Sequence, residues 1–339
     1  MIQKIDENHF LGCTHNNVPR ITPNYLKYFR NEIDKQINEY SSLFESEFYI
    51  LPAFESKLKL RWEERIREVI CSKLQDTCFN IIDYPTSEDT FIRVLKTELL
   101  PTANMSEVAF KRVGDQEVIE EAIVEPLFYK AMLQMPFEFG TFGGLKDFEK
   151  GHVLQIGLAN VGMNVLFADK FPKTKLTSVE IDPTMKYIAK KWFLVKESDK
   201  QKIIIKDEIQ FIKKNKKKFD LILLDVCFSS DDHSVCPGPP FLRPSIIKAL
   251  SNSLTPNGTI SINSLYSKSP TMGDNENFIK HFKPHFSQCM MQQVNRNFVS
   301  GCSNNNNISR MTKDYLEYRR KMIDKKIKRI IGGTFRFLL

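Results

Sequence analysis

Residues 153–183, VLQIGLANVGMNVLFADKFPKTKLTSVEIDP, decide the fold. A short Val/Leu/Ile run, a glycine, a helix-length segment and a second apolar run ending in acids read as strand, turn, helix and parallel strand. The alternation continues outward. KIIIK (202–206), FDLILLDV (219–226) and GTISINSL (258–265) are further buried-strand candidates, each separated from the last by enough chain for a helix. Together with HVLQIGL (152–158) and KLTSVEI (175–181) they predict a doubly wound α/β sheet. TPNG (255–258) is a turn signal before the fifth strand, and Pro244 opens a helix over 244–254. FSQCMMQQV (286–294) and NFVSGC (297–302) predict a terminal hairpin around Asn295 and Arg296.

Upstream, CFNIIDY (78–84), TFIRVLKT (90–97) and EVAFKRV (107–113) predict a small antiparallel layer between residues 78 and 113. Helices are expected over 23–49, over 56–72 where Leu58, Leu60, Trp62, Ile66 and Ile70 recur near one face, and over 118–137. The fold expected is therefore a Rossmann-like α/β sheet with an N-terminal helical and small antiparallel β layer.

The chain also repeats itself. Phe10 to Ile37 returns as Phe298 to Ile327, with Gly12 and Cys13 matching Gly301 and Cys302, and Tyr25 and Tyr28 matching Tyr315 and Tyr318. An offset of about 290 residues exceeds any solenoid period and suits duplication of a whole domain. The division expected is a duplicated tail of a preceding unit (1–40), a helical and β accessory region (41–145), the α/β domain (146–300) and a basic C-terminal helix (301–339).

The composition of the 339 residues, 42% hydrophobic and 27% charged with 26 Phe and 14 Gly, excludes collagen-like and disordered classes. A formal charge of +8 permits an acidic partner without requiring one. The run Lys213, Lys214, Lys216, Lys217 and Lys218 falls at a helix C-terminus, where cations suit the dipole, and no aromatic stacking set accompanies it. No specific nucleic acid is expected. Seven cysteines without a CxxC pair argue against a disulfide framework and a zinc ribbon, so reduced thiols and no metal are expected. No apolar leader or membrane-span window is visible, and the location expected is cytoplasmic.

In an open α/β sheet ligands lie across the carboxyl ends of the strands. Those ends are acidic here: Glu180 and Asp182 after the second strand, Asp207 after the third, Asp225 after the fourth. Glu180 can accept both hydroxyls of a ribose and Asp207 an exocyclic amine, which together describe an adenosine-shaped slot; singly, such carboxylates also cap helices.

These segments, with CPGPPFLRPSII (236–247), resemble the methyltransferase-like family that methylates translation elongation factor 1-alpha, and VEIDP is shared with spermidine synthases. The resemblance covers roughly residues 120 to 300. It implies S-adenosylmethionine as cofactor, with Gly157, Ala159, Gly162, Glu180, Ile181, Asp207 and Glu208 around it, and Asp225 facing the transferred group. It also implies a protein substrate, of the kind translation elongation factor 1-alpha is for that family, methylated at a lysine or N-terminal amine. Asp225 would accept the amine proton; as a turn former it is an equally ordinary residue.

The first loop departs from the family pattern. The acid expected before it is Gln155, and glycines are replaced by Ala159 and Val161, so Val161 is expected to crowd the ligand and resist the turn. A catalytically inactive binding protein is therefore an alternative, and a spermidine-synthase-like aminopropyltransferase a second. The loop Cys227 to Phe241 is a candidate lid, in which His233 is a possible base.

Overall fold

The computed structural model describes residues 2–6, 9–12, 64–98, 104–121, 127–227, 234–266, 272–294, 297–305 and three positions between 321 and 325. Residues 1–57 and 58–339 form two separate compact units. Within the first, β1 (Ile2–Asp6) and β2 (His9–Gly12) make an antiparallel hairpin, so the leading part of the duplicated segment is a strand. The helix expected over 23–49 lies outside the described residues.

The second unit opens with a five-stranded antiparallel sheet in sequence order: β3 (Arg65–Ser72), β4 (Thr77–Pro85), β5 (Thr90–Thr97), β6 (Ser106–Val113) and β7 (Gln116–Glu121). Two helix expectations are corrected here. Residues 65–72 are strand rather than helix, because Ile66 and Ile70, four apart, share a face at period 2 as well as at period 3.6, and the ladder to β4 decides between them. Residues 116–121 pair with β6, so the next helix begins later, as α1 (Leu127–Glu138).

After the short α2 (Leu145–Phe148) the chain alternates: β8 (His152–Ile156), α3 (Val161–Lys170), β9 (Lys175–Glu180), α4 (Pro183–Trp192), β10 (Gln201–Ile205), α5 (Glu208–Lys214) and β11 (Phe219–Leu224). Then follow β12 (Ser234–Cys236), α6 (Pro244–Asn252), β13 (Leu254–Tyr266), α7 (Met272–Lys280), β14 (Gln288–Val294) and β15 (Asn297–Ser303). The sheet order is β10-β9-β8-β11-β13-β15-β14, with β12 on β13. The first five strands are parallel, and β14 and β15 form the antiparallel hairpin. The expected TPNG turn is absorbed into β13 as a register break, where β13 advances from Leu254 to Thr259 while β11 advances from Phe219 to Leu221.

Alternate residues of the parallel strands feed two cores. Val153, Leu176, Ile203, Leu221 and Leu223 join α1, α3 and the β4–β6 sheet on one face. Leu154, Val179, Ile222, Leu224, Ile260 and Ile262 join α5, α6 and α7 on the other. Burial on both faces is why these strands read as continuous apolar runs.

The expectation of reduced thiols is overturned. Disulfides join Cys71 to Cys78, Cys227 to Cys236 and Cys289 to Cys302. The first and third link residues directly opposite in register on adjacent strands, a proximity that sequence spacing alone does not show. No helix among the described residues is long and apolar enough to cross a membrane.

Candidate active site

The carboxyl ends of β8, β9 and β11 converge on Gly157. Its φ of +88° suits glycine, its N–H donates to the Val179 carbonyl at 2.9 Å, and a Cβ there would stand 2.7 Å from the Asp225 carbonyl oxygen. Among residues 157–162, Gly157 alone has a positive φ. Gly162 lies in the first turn of α3, and its N–H donates to the Ser106 hydroxyl of β6 at 3.0 Å. The expected obstruction by Val161 is corrected: its side chain is fully buried in the core beneath the loop. Ala159 packs partly buried against the same core.

Gln155, standing where the family pattern has an acid, is buried in a neutral network. It accepts from the Ser178 hydroxyl at 3.1 Å and donates to the Asn160 carbonyl at 3.3 Å, while Asn164 donates to Ser178 at 3.0 Å. An ion here would have lacked a charged partner within this set, whereas an amide supplies both a donor and an acceptor.

Glu180, Asp182, Asp207 and Glu208 lie near one another after β9 and β10. Glu180 accepts the Leu158 N–H on one oxygen and the Asp182 N–H on the other, each at 2.8 Å, and burial raises its pKa against those bonds. Ile181, 38% exposed, offers an apolar surface beside it, and its N–H donates to Glu208 at 3.0 Å. Burial, with the charges of Glu180 and Asp207 adding to it, pushes the Glu208 carboxyl up to about 7. Asp207 caps α5 by accepting from Gln210 N–H at 2.9 Å. Asp182 caps α4 through Thr184 N–H at 2.8 Å, and its second oxygen is buried with no hydrogen-bond partner among the described residues. Asp182 and Asp207 thus serve as helix caps at the ends of β9 and β10.

Asp225 follows β11. The Tyr129 hydroxyl of α1 donates to its Oδ2, and the Asn263 amide of β13 donates to its Oδ1 at 2.8 Å. Burial raises the Asp225 pKa while both donors oppose the rise; burial and the neighbouring Asp225 raise that of Tyr129. A carboxylate held in this way can orient an incoming amine and take its proton. Tyr129 and Asn263 escaped the sequence reading because each looks like an ordinary residue of an apolar helix or strand, and only the sheet order brings them to Asp225. His233 lies outside the described residues. Asp225, Cys227 and Cys236 offer atoms within 4.8 Å of one another, but the two sulfurs are bonded together and are not thiolate ligands.

The fold is that of known transferase structures. Residues 141–308 match the spermine/spermidine synthase domain model. Part of the chain is also similar to eEF1A lysine and N-terminal methyltransferases. It is 32% identical to the Bos taurus protein of that name over 119 residues, 33% of this chain and 17% of that protein, and 31% identical to the Drosophila melanogaster homologue over 124 residues, 35% and 18%. The chain thus spans under a fifth of the length of these curated relatives. Human methyltransferase-like protein 13, solved in complex with SAH, superposes with a TM-score of 0.51 at 21% identity, covering 59% of this chain and 92% of that one. A probable spermidine synthase from Corynebacterium glutamicum gives 0.55 at 13% identity, covering 80% and 96%. These likenesses establish the fold.

Proposed function

We propose that this domain binds S-adenosylmethionine across the ends of β8–β11 and transfers its methyl group to a protein amine, a lysine or an N-terminus. The observation that carries the reading is Asp225, a carboxylate fixed by two side-chain donors and touching the loop that turns at Gly157. The residues present fit the nucleoside: the loop places no strained side chain, Val161 faces the core, and exposed Ile181 adjoins the Glu180 carboxylate.

Bound S-adenosylmethionine supplies an activated methyl on a sulfonium. Glu180 would hold the ribose and the Asp207–Glu208 turn the adenine edge, while Ile181 covers a base face. Ammonium cannot attack, so Asp225 would take the amine proton, directly or through water. The chain's part is chiefly alignment and exclusion of water.

A protein acceptor is favoured by the named relatives, and translation elongation factor 1-alpha is the first to try. The spermidine-synthase-type domain match favours one second reading, aminopropyl transfer to a polyamine. The cytoplasmic placement drawn from the sequence is set against three disulfides, which favour an oxidising compartment. Non-reducing peptide mapping of the protein isolated from its source decides between them.

Calorimetric titration of the chain with S-adenosylmethionine tests the site, followed by tritiated methyl transfer to translation elongation factor 1-alpha. Heat of binding and label on the acceptor support the proposal. Lack of binding at millimolar cofactor overturns it in favour of a non-catalytic binding protein, and turnover with decarboxylated cofactor and a polyamine alone favours the second reading.

A further inference from the structure

We propose that Asn263 and Asn297 act as a positioning relay that orients Asp225 and keeps its carboxylate ready to accept a proton. The inference rests on the reading of Asp225 as the proton acceptor. Three side chains form a row across three adjacent strands. Asp225 directly follows Leu224 of β11, which pairs with Ile262, so Asp225 lies level with Asn263 of β13. Asn263 faces Val299 of β15, and Asn297, two residues before Val299, presents its side chain on the same face of that strand.

The charge at the head of the row dictates the polarity of every bond behind it. An ionised carboxylate only accepts, so Asn263 must turn its amide nitrogen toward Asp225, as it does at 2.8 Å. Its own carbonyl oxygen then needs a donor. Asn297 supplies one, with its amide nitrogen 2.7 Å from that oxygen. Asn263 is 2% exposed, so water competes poorly for either bond. Reversing Asn263 would set its oxygen against the Asp225 carboxylate, and Asn297 opposes that reversal from outside the site.

The groups facing Asp225 make this relay influential. From α1 comes Tyr129, which titrates but is held protonated. From the following loop comes Cys227, bonded to Cys236 and so unable to titrate. From β13 comes neutral Asn263. Among the described residues no cation is paired with Asp225, so donated hydrogen bonds are what oppose the cost of burying its charge. Each carboxylate oxygen keeps a lone pair for the incoming amine after taking one donor.

The test compares Asn263→Ala, Asn297→Asp and Asn297→Ser with the wild type. Asn297→Asp preserves shape but cannot donate to Asn263 when ionised; Asn297→Ser keeps a donor and serves as the conservative control. Two readouts are taken: the acid limb of the pH profile of kcat, and carbon-13 NMR titration of the Asp225 carboxyl in aspartate-labelled protein, assigned with Asp225→Asn. The expected result is an upward move of the Asp225 midpoint by about one pH unit in Asn263→Ala and Asn297→Asp, and by less in Asn297→Ser. The corresponding loss of kcat below the midpoint is about tenfold, with cofactor affinity unchanged at pH 8. Folded variants whose midpoints match wild type overturn the relay. If Asn297→Asp does not fold, Asn297→Ser and Asn297→Ala decide by the same NMR midpoint, Asn297→Ala being expected to move further. The NMR readout needs no turnover, so an inactive wild type overturns the methyltransferase reading while leaving the relay to be judged by its midpoints.

Discussion

The Tyr129 hydroxyl donates to the Asp225 carboxylate, tying the helix that enters the α/β domain to the end of its fourth parallel strand. Tyr129 is almost fully buried, so Tyr129→Phe leaves that carboxylate oxygen short of a donor that solvent cannot readily replace. The Asp225 pKa should rise and kcat at neutral pH fall by about 10- to 100-fold, while affinity for S-adenosylmethionine changes less than about threefold. Paired kinetic and calorimetric measurements check this. Equal losses in kcat and cofactor affinity would instead place Tyr129 in cofactor binding.

Gly157 and Val161 make opposite predictions about the loop that departs from the family pattern. Gly157→Ala combines a left-handed φ with a Cβ 2.7 Å from the Asp225 carbonyl, so it should cost about 2–3 kcal/mol and displace Asp225. Val161→Gly, which brings back a family-like glycine, should also destabilise by about 2–4 kcal/mol, because it empties a core position at a helix start. Urea denaturation measures both. A stabilised Val161→Gly would mean that the loop is strained after all.

That contrast marks how much the sequence discloses. The parallel strands, the terminal hairpin and the acids at Glu180, Asp207 and Asp225 were legible because apolar runs and strand ends are local features. The fate of Val161 was not, since whether a side chain faces ligand or core depends on where the helix starts. Residues 65–72 are a strand where the sequence suggests a helix, because apolar spacing of four satisfies helix and strand alike. Tyr129, Asn263 and the Cys71–Cys78 and Cys289–Cys302 pairs were hidden for a third reason: their partners are set by sheet order and register.

Glu208 predicts a pH dependence. Its folded pKa, about 7, lies above the ordinary 4.5, so the folded state holds the proton more tightly than the unfolded chain. The resulting stabilisation is complete below pH 4.5 and is lost as pH rises through 7. Glu208→Gln removes the charging cost, and should raise stability by about 1–3 kcal/mol at pH 8 relative to wild type while changing little at pH 4.5. Denaturant midpoints at the two pH values test the difference. A variant effect independent of pH would show that Glu208 is not a buried neutral acid.

Arg93 predicts how firmly the antiparallel sheet is fixed to the α/β domain. Its guanidinium is 1% exposed and grips Asp83 through Nε at 2.7 Å and Nη2 at 2.8 Å, with Glu117 at 2.9 Å. Nη1 donates to the Trp192 carbonyl at the end of α4, and the rings of Phe91, Phe110 and Trp192 surround the cation. Arg93→Met would fill much of the volume but leave Asp83 buried, with Arg67 at 2.9 Å as its remaining cation. Removing one partner of a buried pair costs about 3–5 kcal/mol, and the retained Arg67 should hold the loss near the lower figure. Adding Asp83→Asn to Arg93→Met removes the stranded charge and should recover part of that loss, giving a non-additive double-mutant cycle in urea. Additive losses would show that Arg93 acts through its aromatic packing and its bond to Trp192 rather than through Asp83. Because α4 begins immediately after the Glu180–Asp182 segment, the same variant should also weaken binding of S-adenosylmethionine by more than its folded fraction accounts for, whereas the surface variant Lys173→Ala should not.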